Sequence, residues 1–362
     1  TSFTNISSGT LECVKVGENI FDLRTPDRGE SSSFHMIRFL RSVHCFITAR
    51  KGDPVIYLYP TTFVFKDFIY LLYFRLLKRY RFFCEINELR STNLYFRSES
   101  GGFFKRIRKR VKNLLDYSLF KLSELQVPFY SGIVVISTSL EKYFSKCTKS
   151  IIRVPILCDA SATDLTASPP LYDGNLFRIC FAGYVHSRKE GFDILLEALG
   201  MVCQKKNTDL FMYGVLAEDD RSELETIALK VGVENRIHYL GNIDPEDLSR
   251  EFLKYHLLIL PRPLSRQTHY GFSTKLSEYL TSGIPVMVTD VSDNALFIRD
   301  KVNGFIIPPG NSKIMRDKLL EIIDNYNISA PILAANAMET AKKELDFRNY
   351  TGAFIDFFYK TN

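Results

Sequence analysis

The sequence predicts two α/β domains in tandem, each built on a doubly wound, mostly parallel sheet. Three observations carry this. Short apolar runs rich in Val, Ile, Leu and Phe recur along the 362 residues, as strands buried on both faces do. Segments with helical spacing separate them, which is what parallel strands need for their crossovers. In the second half the runs end on Gly183, Gly214 and Gly241, at the strand ends where such sheets carry their ligand loops.

Composition bounds the class. Apolar residues make up 46% and charged residues 24% of the chain, a globular rather than a disordered balance. Seven cysteines lie far apart (Cys13, Cys45, Cys84, Cys147, Cys158, Cys180, Cys203), with no Cys-x-x-Cys pair and no Cys/His set at zinc spacing. That pattern favours free thiols in a reducing compartment over a disulfide framework, so a cytoplasmic protein is expected. The opening TSFTNISSGT lacks the basic and apolar regions of a signal peptide, and no run approaches the ~18–20 apolar residues of a membrane span.

In the first half, PVIYLY from Pro54, FFCEI from Phe82 and GIVVIS from Gly132 read as buried strands. FIYLLYFRLLKRYRFF, from Phe68, is broken by Arg75, Lys78, Arg79 and Arg81 and reads as a surface or interfacial helix. The net charge of +6 gathers in the block Lys105, Arg106, Arg108, Lys109, Arg110 and Lys112. Phe103, Phe104, Ile107, Val111, Leu114 and Leu115 interleave with it. Such a stretch fits a basic amphipathic surface on anionic lipid; a solvated helix face fits it too. No nucleic-acid module is recognisable, so a nucleic-acid partner is not expected. The Ser/Thr/Pro/Asp-rich stretch from Asp159 to Asn175 is the linker candidate. It places an acceptor domain at 1–160 and a second domain at 175–345, with a C-terminal helix near 346–362 packing back on the first.

The second half alternates cleanly. FRICFAG is a strand ending at Gly183, followed by a helix with Ile194, Leu195, Ala198 and Leu199 on one face. LFMYG is a strand ending at Gly214, with a helix from about Arg221 to Val231. RIHYLG ends at Gly241. Asp244 then reads as an N-cap with Pro245 at the first helical position. LLIL from Leu257, GIPVMV from Gly283 and FII from Phe305 complete the set.

The segment Leu258 to Asp290 carries the functional argument. A strand ends at Leu260, a loop with Arg262 follows, and a helix starts near Ser273. Free N–H groups and the helix dipole favour an anion there, and Gly271 permits close approach. Glu278, a little over one turn in, leans toward the helix start. A diphosphate with an adjoining sugar hydroxyl fits this arrangement. An ordinary amphipathic helix burying Leu276, Tyr279 and Leu280 fits the same spacing.

GFSTKLSEYLTSGIPV resembles the donor site of retaining glycosyltransferases of family four, the glycosyl-transferases-group-one class, bacterial surface-polysaccharide type. FAGYVHSRKEGFDILLEAL from Phe181, RIHYLGNIDPEDL from Arg236 and NGFIIPPGN from Asn303 resemble three further ordered motifs of that class, so the likeness runs from about Phe177 to Asn311. It implies the GT-B fold, two Rossmann-like domains facing across a cleft. It implies that Glu278 binds the ribose and that Phe272, Ser273 and Thr274 offer N–H groups to the diphosphate. Lys189 and Arg188 would place positive charge on the phosphates, Asn242 and Ile243 would lie against the base, and Gly183 and Arg262 would belong to the donor nucleotide-sugar site. No metal or cofactor is implied, so cations and the helix must stabilise the leaving diphosphate. Two positions depart from the pattern: Tyr270 stands where the class has an acidic residue, and Tyr184 where it has an Arg.

The first domain is less informative. Its usual first strand and small-residue loop are missing from the pattern. Glu88, with Asn87, is the candidate acceptor-facing pair at the end of FFCEINELRS; solvated loop residues would look the same. His35 and His44 read as structural, while His186 and His269 lie near the donor loops. The expected function is transfer of a sugar from a nucleotide-diphosphate sugar to a glycan or lipid-linked acceptor in polysaccharide biosynthesis. A GT-B sugar-nucleotide epimerase or hydrolase, or a catalytically weak membrane-associated binding subunit, are the alternatives.

Overall fold

The computed structural model describes residues 12–16, 20–24, 33–50, 52–60, 64–92, 103–162 and 168–360. Two short strands, β1 (Glu12–Lys15) and β2 (Phe21–Arg24), pair antiparallel as a separate hairpin. The first domain's sheet holds β3 (Val55–Leu58), β4 (Arg81–Ile86), β5 (Gly132–Val135) and β6 (Ile151–Arg153), all parallel and in chain order. Around it lie α1 (Ser33–Thr48), α2 (Val64–Tyr70, continuing as a π-helix over Leu71–Leu77), α3 (Phe103–Glu124) and α4 (Thr138–Phe144). Phe82, Phe83, Ile133 and Val135 are buried because this sheet is covered on both faces. Among the described residues β3 forms an edge of this sheet, and no earlier strand joins it. The sheet therefore shows no reversal of strand order.

The second sheet does. Its strands are β7 (Phe177–Ala182), β8 (Thr208–Tyr213), β9 (Ile237–Gly241), β10 (Leu257–Leu260), β11 (Val286–Thr289) and β12 (Phe305–Ile307), in the order β12-β11-β10-β7-β8-β9. Winding runs one way from β7 to β9 and the other way from β10 to β12. The reversal falls between β7 and β10, and ligand crevices open beyond the strand ends at such a point. The helices that wind it are α5 (Phe192–Cys203), α6 (Glu218–Val231), α7 (Pro245–Phe252), α8 (Arg266–Tyr270), α9 (Thr274–Leu280), α10 (Asn294–Phe297) and α11 (Ser312–Thr340).

The chain crosses between domains twice, and the two crossings are zipped together. Cys158 N–H donates to Leu345 O and Phe347 N–H to Cys158 O, while Arg348 pairs with both Asp159 and Asp346. Helix α12 (Thr351–Lys360) then lies against the first domain. Its Phe357 and Phe358 pack on Phe83 at ring distances of 5.3 and 4.9 Å. The domains also touch directly. Thr138 donates its N–H and Oγ1–H to Asp293 Oδ2 at 2.8 and 3.0 Å, so a carboxylate of the second domain caps α4 of the first. Ser137 Oγ donates to Tyr270 O at 2.8 Å.

The six cysteines whose side chains are described are unpaired. Among the described residues no helix is long and apolar enough to cross a membrane. The side chains of His35, Phe103, Phe104, Lys105, Arg106 and Lys109 lie outside the described residues.

Candidate active site

The crevice at the β7/β10 reversal is built from glycine ends and buried charge. Gly183 follows β7 at φ +140°, and a methyl group there would sit 1.9 Å from Lys275 Cε. Gly214 follows β8 at φ +118°, and its added methyl would meet Gly183 O at 2.0 Å. Glycine at both positions lets the strand ends close up and leaves room for the Lys275 chain.

Helix α9 presents that lysine. Leu276, Tyr279 and Leu280 are fully buried. The Tyr279 hydroxyl accepts from Ala182 N–H at 2.8 Å and ties the helix to the end of β7. Lys275 is thereby turned inward, 7% exposed. Its Nζ lies 3.3 Å from Glu190 Oε1, and Arg262 closes a two-bond fork on the same carboxylate at 3.0 Å each. Burial disfavours the Glu190 charge, but Arg262 and then Lys275 outweigh it and hold the carboxyl down to about 2. Burial dominates for Lys275 and lowers it to about 8, with Glu190 opposing and Arg262 reinforcing. Lys189 is lowered by burial and by Arg262, while Glu190 and Glu88 pull it back. Three cations thus surround one carboxylate, leaving an excess of two positive charges that an anion could neutralise.

Other sequence-predicted residues fall as follows. Ser273 is the N-cap of α9, and its Oγ is buried without a partner. That hydroxyl has hydrogen-bonding capacity to spare. Phe272 is buried and packs edge-on to Phe297 at 5.4 Å, while Thr274 is exposed at the first helical position. Glu278 is solvent-accessible, yet the protein around it raises its carboxyl, with Lys275 opposing. A cavity of about 510 Å³ lies beside the crevice, lined by Gly214, Val215, Arg221, Tyr239, Gly241 and Asn242. The Tyr239 hydroxyl is a second buried group without a partner. Glu88, just past the end of β4, is near enough to Lys189 to oppose its lowering electrostatically.

Two expectations need correction. Arg188 does not turn into the crevice; it pairs with Glu223 at 3.0 Å and is 68% exposed. Ile243 packs against the core rather than lining the cavity, as a branched aliphatic chain beside apolar neighbours does. Asn87 donates its amide to Tyr59 Oη at 2.7 Å. Helix α9 spans seven residues. Of the histidines, His44 bonds Tyr80 at 2.7 Å in the first domain, and His269 meets Tyr270 edge-on at 5.0 Å. His186 lies 3.4 Å from Asp220.

Lys275 and Glu190 are the residues that sequence reasoning missed. The available signal was a lysine in the first turn of a helix whose neighbours are apolar, facing a strand that ends in glycine. Tyr270, in place of an acidic residue, packs on Tyr143 of the first domain at 5.5 Å.

Known proteins share this architecture. Residues 177–325, holding the whole crevice, match the family model described as glycosyl transferases group 1. Over the complete fold the chain is similar to sucrose-phosphate synthase from Thermosynechococcus elongatus. The TM-score is 0.67 at 14% identity, covering 96% of this chain and 85% of that one. It is also similar to Anabaena HepE, solved in complex with UDP-glucose, with TM-score 0.63, 16% identity, and coverage of 89% and 81%. In sequence it resembles an uncharacterized glycosyltransferase of Methanocaldococcus jannaschii, 25% identical over 133 residues, which are 37% of this chain and 32% of that protein. The chain thus spans about a third of that relative's length. The fold is GT-B, and its second domain carries the group 1 match.

Proposed function

We propose that the chain is a GT-B glycosyltransferase that takes a sugar from a nucleoside-diphosphate donor and transfers it with retention of anomeric configuration. The observation that carries the reading is the crevice at the strand reversal, where Lys275, Arg262 and Lys189 outnumber Glu190 beside the orphaned Ser273 Oγ. The cavity by Tyr239 and Asn242 has room for a nucleoside. HepE, a structural neighbour, was solved with UDP-glucose.

In this reading the diphosphate lies between Lys275, Lys189 and the Ser273 hydroxyl. As the sugar–phosphate bond breaks, negative charge grows on the leaving diphosphate. Fixed cations in a poorly solvated crevice stabilise that charge without reorganising. Glu278 accepts hydrogen bonds from the ribose. The acceptor, a glycan or lipid-linked saccharide, enters from the Glu88 side of the first domain. Retention follows from front-face attack, the departing phosphate oxygen taking the acceptor's proton. Closure about the zipped crossings 158–161 and 345–348 would exclude water.

One observation favours a second reading. Tyr270 occupies the position of the group's acidic residue, and its ring and carbonyl are engaged with the first domain. A subunit that binds nucleotide but transfers poorly would look like this. Proton NMR of a panel of nucleotide sugars incubated with the chain separates the two. Sugar transferred to an added saccharide acceptor with its starting anomeric configuration supports the transferase, whereas release without acceptor marks a hydrolase. Inversion refutes the retaining mechanism. Nucleotide binding without any sugar release supports the binding subunit.

A further inference from the structure

Helix α3 is amphipathic, yet it faces the wrong way for a helix whose apolar side belongs in the core. Its described aliphatic residues Ile107, Val111, Leu114, Leu115, Leu119 and Leu122 are 45–66% exposed. At 100° per residue these six positions fall within an arc of about 140°. The opposite side is turned toward the domain. Asn113, Asp116, Phe120 and Glu124 are all partly buried there. Glu124 is fixed there, accepting from Ser91 Oγ at 2.7 Å, Lys121 Nζ at 2.7 Å and Tyr143 Oη at 2.6 Å. The polar face is therefore the anchored one, and the apolar face looks out.

The neighbouring helix buries one apolar face and leaves a second apolar stripe exposed. Along α2 and its π-helical continuation, Val64, Tyr70, Leu71 and Phe74 are buried, while Phe65, Phe68, Leu72 and Leu76 are exposed. The two helices are in contact. Exposed cations border both stripes: Arg108, Arg110 and Lys112 on α3, Lys78 and Arg79 just after α2. A contiguous apolar surface left open on a folded domain marks an interaction site. A basic rim selects a negatively charged partner, and a planar row of leucines and phenylalanines selects one with an apolar interior beneath that charge.

We propose that the outward face of α3, extended by the exposed stripe of α2, seats the first domain on an anionic lipid surface. The leucines enter the interface between headgroups and acyl chains, and Arg108, Lys112 and their neighbours lie among the phosphates. The inference does not depend on the donor-site reading, since no residue of this face lies at the crevice.

The test is co-sedimentation of the whole chain with phosphatidylcholine vesicles, with and without phosphatidylglycerol. Binding is expected only with phosphatidylglycerol, and it should weaken as salt is added. Leu114→Glu/Leu115→Glu should lower vesicle affinity at least about tenfold, since one buried leucine is worth roughly that factor. Arg108→Glu/Lys112→Glu should lower it on phosphatidylglycerol vesicles. Both variants change exposed positions, so their thermal unfolding should match the parent chain. No binding to anionic vesicles, or binding that neither variant weakens, overturns the proposal. So does a dimer in solution that Leu114→Glu/Leu115→Glu turns into a monomer, because a second copy would then cover the face.

Discussion

Replacing Lys275 with Met separates binding from folding more sharply than any other single change. The side chain is buried, and its ammonium is lowered from 10.5 to about 8. That lowering corresponds to ~3 kcal/mol of differential interaction against the charged form. Methionine fills similar volume without the charge, and Glu190 keeps its two bonds from Arg262. Loss of the Lys275 contact to Glu190 offsets part of the gain, so ~3 kcal/mol is an upper bound. The apo variant should therefore be as stable as the parent or more so. Nucleotide binding should move the other way. A charge-assisted contact to the diphosphate is worth ~1.5–3 kcal/mol, so UDP affinity should fall about tenfold to hundredfold. Thermal unfolding and calorimetric titration at pH 7 read the two effects. Unchanged affinity would refute the assignment of Lys275 to the phosphate site. Stability and affinity falling together would show that Lys275 is structural.

Three further outcomes follow from the same geometry. Affinity for a nucleoside diphosphate should be flat below pH 8 with respect to Lys275. It should fall as pH rises from about 8 to the higher value the bound anion imposes, and titrations of Lys275→Met should lack that fall. Over the window from about 8 to 10.5 the unfolded chain holds a proton that folded Lys275 has released, so this group's contribution to apo stability rises with pH there. Gly214→Ala sets a methyl against Gly183 O at φ +118°; a loss of more than ~1 kcal/mol in denaturant unfolding is expected, together with weakened nucleotide binding. Asp293→Ala strips Thr138 of its partner for both N–H and hydroxyl and should cost ~1–3 kcal/mol, read by the same unfolding assay.

Most strands of the two parallel sheets were legible because they are mainly apolar runs, as burial on both faces demands; β1, β2 and β6 were not, being three or four residues long and carrying charged side chains. Phe177–Ala182, Thr208–Tyr213 and Leu257–Leu260 fall where the runs lie. Helix α8 was not legible: Arg266–Tyr270 is polar and short, held by a capping box between Ser265 and Thr268 that no hydrophobic period announces. The site was half legible. Glu278 and Ser273 belong to a local motif, whereas the Glu190 network joins residues 72 positions apart in the Arg262 pair. Arg188 and Lys189 are adjacent in sequence, but Glu223 on α6 draws one outward. Amphipathicity in α3 could be read from its sequence. Which face it anchors could not, because Ser91 and Tyr143, which hold Glu124, come from other segments.

The central claim is that the crevice between β7 and β10 binds a nucleoside diphosphate. Calorimetric titration of the chain and of Glu278→Ala with UDP, GDP and ADP tests it directly. The account predicts saturable binding of one nucleotide by the parent chain, weakened at least about tenfold in the variant by loss of a charged hydrogen-bond acceptor. Absence of binding by the parent, or equal affinity in the variant, would contradict it.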